Sequence, residues 1–287
     1  MLPPRRQPSD LARQLGRALR QRREAAVMSG QEVAAQLGWS ASKVSRIETG
    51  QAVGIDDLGR LLDMYQVTGF DRDALDHLAR SVEEHRRGWW DAYADTLGHG
   101  YAEMIKLEAG AKSECQYVPT LVPGLLQTAA YATEIIRSSL LDAAEDEIRQ
   151  RVLVRTKRQR ELTKDDPLEL AVVLDEAVLR RQVGEPALMK DQLSHLVEMA
   201  RLPNIALQVL RFTNGPHPGI TTGFTILQSP GVIATEVVYL EYLTKELFVW
   251  DSGEIVRYCR TFDRLREIAS EPDESVALIA QAASQIR

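Results

Sequence analysis

Apolar residues recur at helical spacing along the first third of the chain. From Leu11 they fall at Leu11, Leu15, Ala18 and Leu19, which is one face of an amphipathic helix whose other face bears arginines. The same spacing returns in the segments that follow, as far as Val82. The pattern therefore predicts an all-α N-terminal region of five helices.

Start and stop signals place the second and third of these helices. Ser29 followed by Glu32 has the spacing of a capping box, and it predicts a short helix that ends at Gly38. Ser40 can cap a third helix that ends at Gly50. In this helix the pattern predicts that Val44 and Ile47 face inward and that Ala41, Ser42, Lys43, Ser45 and Arg46 face outward.

The fourth and fifth helices follow from the same spacing and from acidic residues in their first turns. Their inward positions are predicted to be Ile55, Leu58, Leu61, Leu62 and Tyr65 in the fourth, and Leu75, Leu78, Ala79 and Val82 in the fifth. We predict that residues 1–88 form one domain.

The pattern changes in the second half of the chain, where short segments are rich in β-branched and aromatic residues. Five strands are predicted, in LELAVVLD, IALQVLRF, TGFTILQS, TEVVYLEY and KELFVW, with helices before, between and after them. Residues 89–287 are therefore predicted to form an α+β domain with a mixed sheet of about five strands.

Charge is divided unevenly along the 287 residues. The net charge is −6, but residues 1–88 contain 14 Lys and Arg against 12 Asp and Glu, which leaves 21 against 29 for the rest. Within residues 5–46 there are nine basic residues and three acidic ones. A local cationic surface of this kind can bind a phosphate backbone although the whole chain is acidic.

The segment LRQRREAAVMSGQEVAAQLGWSASKVSRIETG resembles the XRE family of helix-turn-helix regulators, the class of the phage repressors, over about residues 13–68. Small Ala34 and Gly38 at the joint, and the run SKVSRIETG, are its distinguishing features. The resemblance implies that residues 40–49 form a recognition helix that lies in the major groove of double-stranded DNA.

The resemblance also implies roles for single residues. Ala41, Ser42, Lys43 and Arg46 are expected at base edges, with Lys43 also able to reach phosphate; Arg20, Ser29, Gln31 and Thr49 are expected at phosphates; Arg23 and Glu48 are expected to form a structural ion pair. Arg46 is the best candidate for specificity, because a guanidinium can bind guanine O6 and N7 bidentately.

Two departures from the family pattern concern affinity. Gly30 stands where a phosphate-contacting Gln is usual, and the loop after Gly50 lacks the usual Lys or Arg. Weak contact by one module favours a homodimer on a palindromic operator, since two half-sites double the phosphate contacts.

A second resemblance covers about residues 89–280. The motifs VPGLLQT, LDEAVLRR, QLSHLVEMARLPNIALQVL and VVYLEY are similar to the C-terminal domain of actinobacterial XRE-type regulators described as antitoxin-like. That resemblance implies a small co-encoded protein partner, or an effector. Two functions stay open: a sequence-specific transcriptional regulator, or an antitoxin-like protein that neutralises its partner and binds DNA for autoregulation.

An enzymatic function is the less favoured hypothesis. Asp175, Glu176 and His217 could catalyse, but DEAVLRR is more simply a capped helix, and His217 lies in a loop without a nucleophile nearby in sequence. We expect no catalytic residues, no metal site and no cofactor. Cys115 and Cys259 are expected to be reduced. The absence of a leader or a long apolar run leads us to expect a cytoplasmic protein that does not bind membranes.

Overall fold

The computed structural model describes residues 10–51, 53–84, 89–93, 96–230 and 236–286. The described residues divide into two compact units, one up to Asp91 and the other from Ala92. Two of the basic residues near the N-terminus, Arg5 and Arg6, lie outside the described residues. Each unit has its own core and is considered by itself.

The first unit consists of helices, as the apolar spacing predicts. They are α1 (Asp10–Ala25), α2 (Gly30–Leu37), α3 (Ala41–Glu48), α4 (Ile55–Met64) and α5 (Phe70–Glu84). Helix α1 packs against α3 and α5, α2 packs against α3, and α4 packs against α5. The core contains Leu15, Leu19, Val33, Ala34, Val44, Ile47, Leu58, Leu61, Leu62 and Ala79, all buried. The prediction of a five-helix domain is confirmed over the described residues.

One predicted core position is wrong. Ile55 is the first residue of α4 and is 58% exposed. Gly54, the residue before it, is the N-cap, so Ile55 lies at the N-terminal end of α4. Helical spacing alone does not distinguish such an end position from the interior of the stripe.

The second unit is built on a six-stranded mixed sheet. Its strands are β1 (Ser113–Val118), β2 (Glu169–Asp175), β3 (Ile205–Leu210), β4 (Phe224–Gln228), β5 (Glu236–Glu241) and β6 (Glu246–Val249), in the spatial order β3-β2-β1-β4-β5-β6. Strands β1, β2 and β3 run parallel, and the pairs β1–β4, β4–β5 and β5–β6 are antiparallel. The predicted α+β class with a mixed sheet is confirmed.

Seven helices accompany the sheet in the described part of this unit. They are α6 (His99–Ala109), α7 (Ala129–Ser139), α8 (Glu145–Arg158), α9 (Glu176–Arg180), α10 (Pro186–Met199), α11 (Ser252–Ile268) and α12 (Pro272–Gln285). Helix α11 covers one face of the sheet, where Tyr117, Ile226 and Val238 pack with Phe262 and Leu265. In the described residues, no helix combines the length and apolar character that a membrane span requires.

Strand β1 was not predicted, although it lies in the middle of the sheet. Its sequence is SECQYV, and its polar Glu114 and Gln116 interrupt the apolar pattern that marks a buried strand. Both side chains are nevertheless buried, Glu114 completely and Gln116 to all but 7%. The sheet therefore has one strand more than the five that the sequence predicts, and the additional strand has polar residues on one of its faces.

Candidate nucleic-acid interface

Helix α3 is held at both ends by features that the sequence predicts. Ser29 caps α2 through a complete capping box with Glu32, and Gly38 ends α2 in the left-handed region at φ 69°. The Ser40 side chain then accepts a hydrogen bond from the Lys43 N–H and caps α3. The two helices are thus joined by a short turn, which fixes the direction in which α3 leaves it.

The outward face of α3 presents several of the residues expected at base edges. Ala41, Ser42 and Arg46 are exposed, whereas Val44 and Ile47 are buried beneath them. The Arg46 Nε donates to the Ser42 backbone oxygen at 3.2 Å. Arg46 has no acidic partner among the described residues, so its charge is available to a ligand.

Lys43 is placed differently from these three residues. Its Nζ lies 2.6 Å from Asp57 Oδ2 in α4 and 3.8 Å from the centre of the Trp39 ring. The ammonium is therefore already paired with a carboxylate and stacked on an aromatic ring. A contact from Lys43 to DNA requires that this pair be broken or shared, which reduces the gain from the contact.

The residues expected at phosphates lie near the ends of α1, α2 and α3. Arg20 is exposed and its Nε lies 2.8 Å from Glu24. Gln31 is exposed, while the Ser29 hydroxyl is occupied by the capping box and the Thr49 hydroxyl donates to backbone oxygens of Ser45 and Arg46. The two hydroxyls keep lone pairs that can still accept a hydrogen bond. Of these four side chains, that of Gln31 alone makes no hydrogen bond or ion pair with the described residues.

Arg23 and Glu48 connect α1 to the C-terminal end of α3. The Arg23 Nε and Nη2 donate to the two Glu48 oxygens at 2.6 and 3.0 Å, and Nη1 donates to the Met28 backbone oxygen at 2.7 Å. The side chains are 12% and 11% exposed. The hydrogen bond that Arg23 donates to Glu48 raises the pKa of Arg23, and burial together with the Glu48 charge raises the pKa of nearby Tyr65 to about 12.

Gly16 is a functional position that the sequence analysis did not identify. It lies in the buried stripe of α1, and a Cβ built there would meet the backbone oxygens of Ile47 and Glu48 at 2.6 and 2.7 Å. Only glycine allows α1 to approach the end of α3 this closely. The available signal was a glycine inside a helix, at a position of the stripe where an alanine or leucine is expected.

Comparison with known families agrees with this arrangement of helices. A model described as a helix-turn-helix domain matches residues 14–75, which run from α1 into α5. A second model, described as a domain of unknown function (DUF5753), matches residues 101–281, which is more than half of the chain. The chain belongs to the DUF5753 family. No curated protein and no solved structure gives a match.

The helix-turn-helix match supports DNA binding by the first unit of this DUF5753 protein, with α2 and α3 as the two helices of the motif. The family model says nothing about what the second unit binds. The separate actinobacterial and antitoxin-like resemblances do not follow from these two matches.

In the DUF5753 region the residues weighed for catalysis have structural roles. Asp175 caps α9 by accepting from the Ala177 N–H at 2.8 Å, and Glu176 accepts from Arg180 and from the Phe212 N–H. His217 Nε2 lies 3.9 Å from Asp175 Oδ2, beyond hydrogen-bond distance. Within the described residues, His217 Nδ1 has no hydrogen-bond partner.

Proposed function

We propose that this protein is a sequence-specific transcriptional regulator that inserts α3 into the major groove of double-stranded DNA. One observation supports this above the others: α3 is capped, locked to α1 by the Arg23–Glu48 pair, and exposes Ala41, Ser42 and Arg46 on its outer face. A rigid helix with short side chains beside one unpaired guanidinium suits close approach to base edges.

The proposed polar contacts to the DNA backbone come from α1, from the start of α2 and from the end of α3. In the proposed complex Gln31, Ser29, Thr49 and Arg20 hold phosphates, and Arg46 reads a guanine. Phosphate contacts set the register of the helix in the groove, and base contacts set specificity. One such module makes few phosphate contacts, so we propose a homodimer on a palindromic operator.

The second unit, in this proposal, binds a small protein partner or effector and brings two chains together. Apolar side chains at and beside the β5–β6 hairpin support a protein partner, because Tyr242 is 53% exposed, Leu243 is 100% exposed and Leu247 is 47% exposed. Solvent-exposed apolar residues grouped in this way are frequent at protein interfaces. An antitoxin-like protein, which neutralises that partner and regulates its own gene, is the second candidate.

The test is selection of bound sequences from random duplex DNA by the full-length protein, followed by binding measurements at two salt concentrations. A palindromic motif with a steep salt dependence supports a dimeric regulator, since each phosphate contact releases counterions. A selection that enriches no motif contradicts the regulator and favours the partner-neutralising protein.

A further inference from the structure

The face of the sheet opposite α11 has a row of buried polar side chains. Gln116 on β1, Thr225 on β4 and Tyr239 on β5 are neighbours in the strand register. All three are more than nine-tenths buried, with 7%, 8% and 6% exposure. Gln116 Oε1 and the Tyr239 hydroxyl have no hydrogen-bond partner among the described residues. Because buried polar atoms are nearly always hydrogen-bonded, two such atoms in one row indicate a ligand.

These residues form part of the lining of a cavity of about 590 Å³. Every residue that lines it belongs to the second unit. Ile135 and Ile136 of α7 and Leu140, its C-cap, form an apolar part of the lining, and arginines of α8 form another part. A cavity of this volume, lined by both apolar side chains and convergent polar groups, is large enough to hold a small molecule.

The arginines of α8 that reach the cavity differ in how they are paired. Arg151 lies 3.0 Å from Glu147, and Arg158 donates to Glu108 at 2.8 Å, so each has a carboxylate. Arg155 donates to Gln127 Oε1 at 2.9 Å and also hydrogen-bonds to the Tyr101 side chain, while its buried Nε has no partner among the described residues. No carboxylate of the described residues lies within ion-pair distance of Arg155. Its positive charge is thus the one on α8 that a ligand can neutralise.

The acidic groups around the cavity do not neutralise the charge of Arg155. Glu114 is fully buried on the same face of β1, and burial raises its pKa well above the usual range, which favours its neutral form. Glu241 and Glu246 also line the cavity, at the ends of β5 and β6 where they face solvent. Water screens the charges of these two exposed carboxylates.

We propose that the second unit binds a small organic anion in this cavity. The anionic group, a carboxylate or sulfonate, pairs with the Arg155 guanidinium, and an apolar body lies against α7. A hydrogen-bonding group of the ligand meets Gln116 Oε1 and the Tyr239 hydroxyl. This site is independent of DNA binding, because all of its residues belong to the second unit.

The test is a fluorescence titration of the full-length protein with anilinonaphthalene sulfonate, an aromatic anion with one N–H donor. Its neutral counterpart, N-phenylnaphthylamine, has the same rings without the sulfonate. We expect the anion to bind at one saturable site. Arg155→Gln should weaken its binding by about tenfold or more, while binding of the neutral probe changes little.

Two further variants separate ligand binding from a structural role. Arg149→Gln removes the same charge from an exposed position of the same helix, and it should leave both affinities unchanged. Tyr239→Phe removes a hydroxyl that bonds to no described residue, so the thermal midpoint should hold or rise while binding of the anion weakens roughly threefold or more.

Several outcomes overturn the proposal. They are binding that does not saturate, equal affinity for the charged and neutral probes, or an equal loss in Arg155→Gln and Arg149→Gln. If Arg155→Gln fails to fold, Arg155→Lys replaces it, because lysine keeps the charge and lacks the buried Nε. The proposal is also overturned if neither Arg155→Lys nor Tyr239→Phe weakens binding of the anion. None of these measurements uses DNA, so they can fail or succeed independently of the proposed DNA binding.

Discussion

Among single residues, Arg46 allows the proposed reading of bases to be tested separately from the proposed phosphate contacts. It lies on the outer face of α3 without an acidic partner in the described residues, whereas Arg20 lies on α1 beside Glu24. We predict that Arg46→Ala relaxes base preference at one position per half-site by about 1–3 kcal/mol. Relative affinities for single-base variants of the selected operator measure this effect.

Arg20→Ala is the matched control for that experiment, since it removes the same side chain from a proposed phosphate contact. It should weaken all sequences alike and reduce the salt slope by about one unit. A base preference that Arg46→Ala leaves intact would show that α3 is not the recognition helix.

Val27 is a second residue whose effect can be stated in advance. It lies in the turn between α1 and α2 at φ 56°, in the left-handed region, and is 90% exposed. A β-branched side chain is strained there and loses no packing on removal. We predict that Val27→Gly raises the free energy of unfolding by about 0.5–1 kcal/mol. This net value includes the larger conformational entropy that glycine loses on folding.

Urea denaturation of the full-length protein measures this difference. Val27→Ala serves as the control, because alanine keeps the Cβ that conflicts with the left-handed conformation, and it should gain less. Equal stability of the glycine variant and the parent would contradict the strain at this turn.

Between elements, the contact of α1 with the end of α3 depends on Gly16. The backbone oxygens of Ile47 and Glu48 cannot rotate out of the way of a methyl group. We predict that Gly16→Ala lowers the free energy of unfolding by roughly 1–3 kcal/mol, the usual cost of overpacking. DNA affinity should fall as well, because α3 must move relative to α1 and to the Arg23–Glu48 pair.

Gly59→Ala is the control, since Gly59 also lies inside a helix. Its nearest neighbour would be the Arg72 Nη2 at 3.8 Å, an ordinary contact. Alanine there should stabilise α4 by about 0.5–1 kcal/mol through helix propensity. If both variants gained stability in thermal melts, Gly16 would have no special role.

How far the sequence predicts these elements depends on whether their pattern is regular. The five N-terminal helices follow from apolar spacing and caps, because each buries one stripe and exposes the other. Strand β1 could not be found in this way, since Glu114 and Gln116 are polar and their burial results from the tertiary structure rather than from the local sequence pattern. Lys43 shows the same limit, because its partner Asp57 belongs to another helix.

For the whole molecule, the proposal that the second unit joins two chains has a direct consequence. The fragment of residues 1–88 should bind the selected operator more weakly than the full-length protein, because it holds one half-site at a time. Titration of both proteins against the same duplex, with sedimentation to give their masses, makes the comparison. Equal affinity would contradict dimerisation through the second unit.

The position of β1 in the sheet also sets the order in which the second unit can be completed during synthesis. Gln116 pairs on one side with Val172 and on the other with Thr225. Strand β1 therefore cannot pair on both sides until more than half of the chain that follows it has left the ribosome. Helices of the first unit make local contacts and can form long before this. A chain that stops short of β4 would leave a central strand with an open edge, which is a template for aggregation.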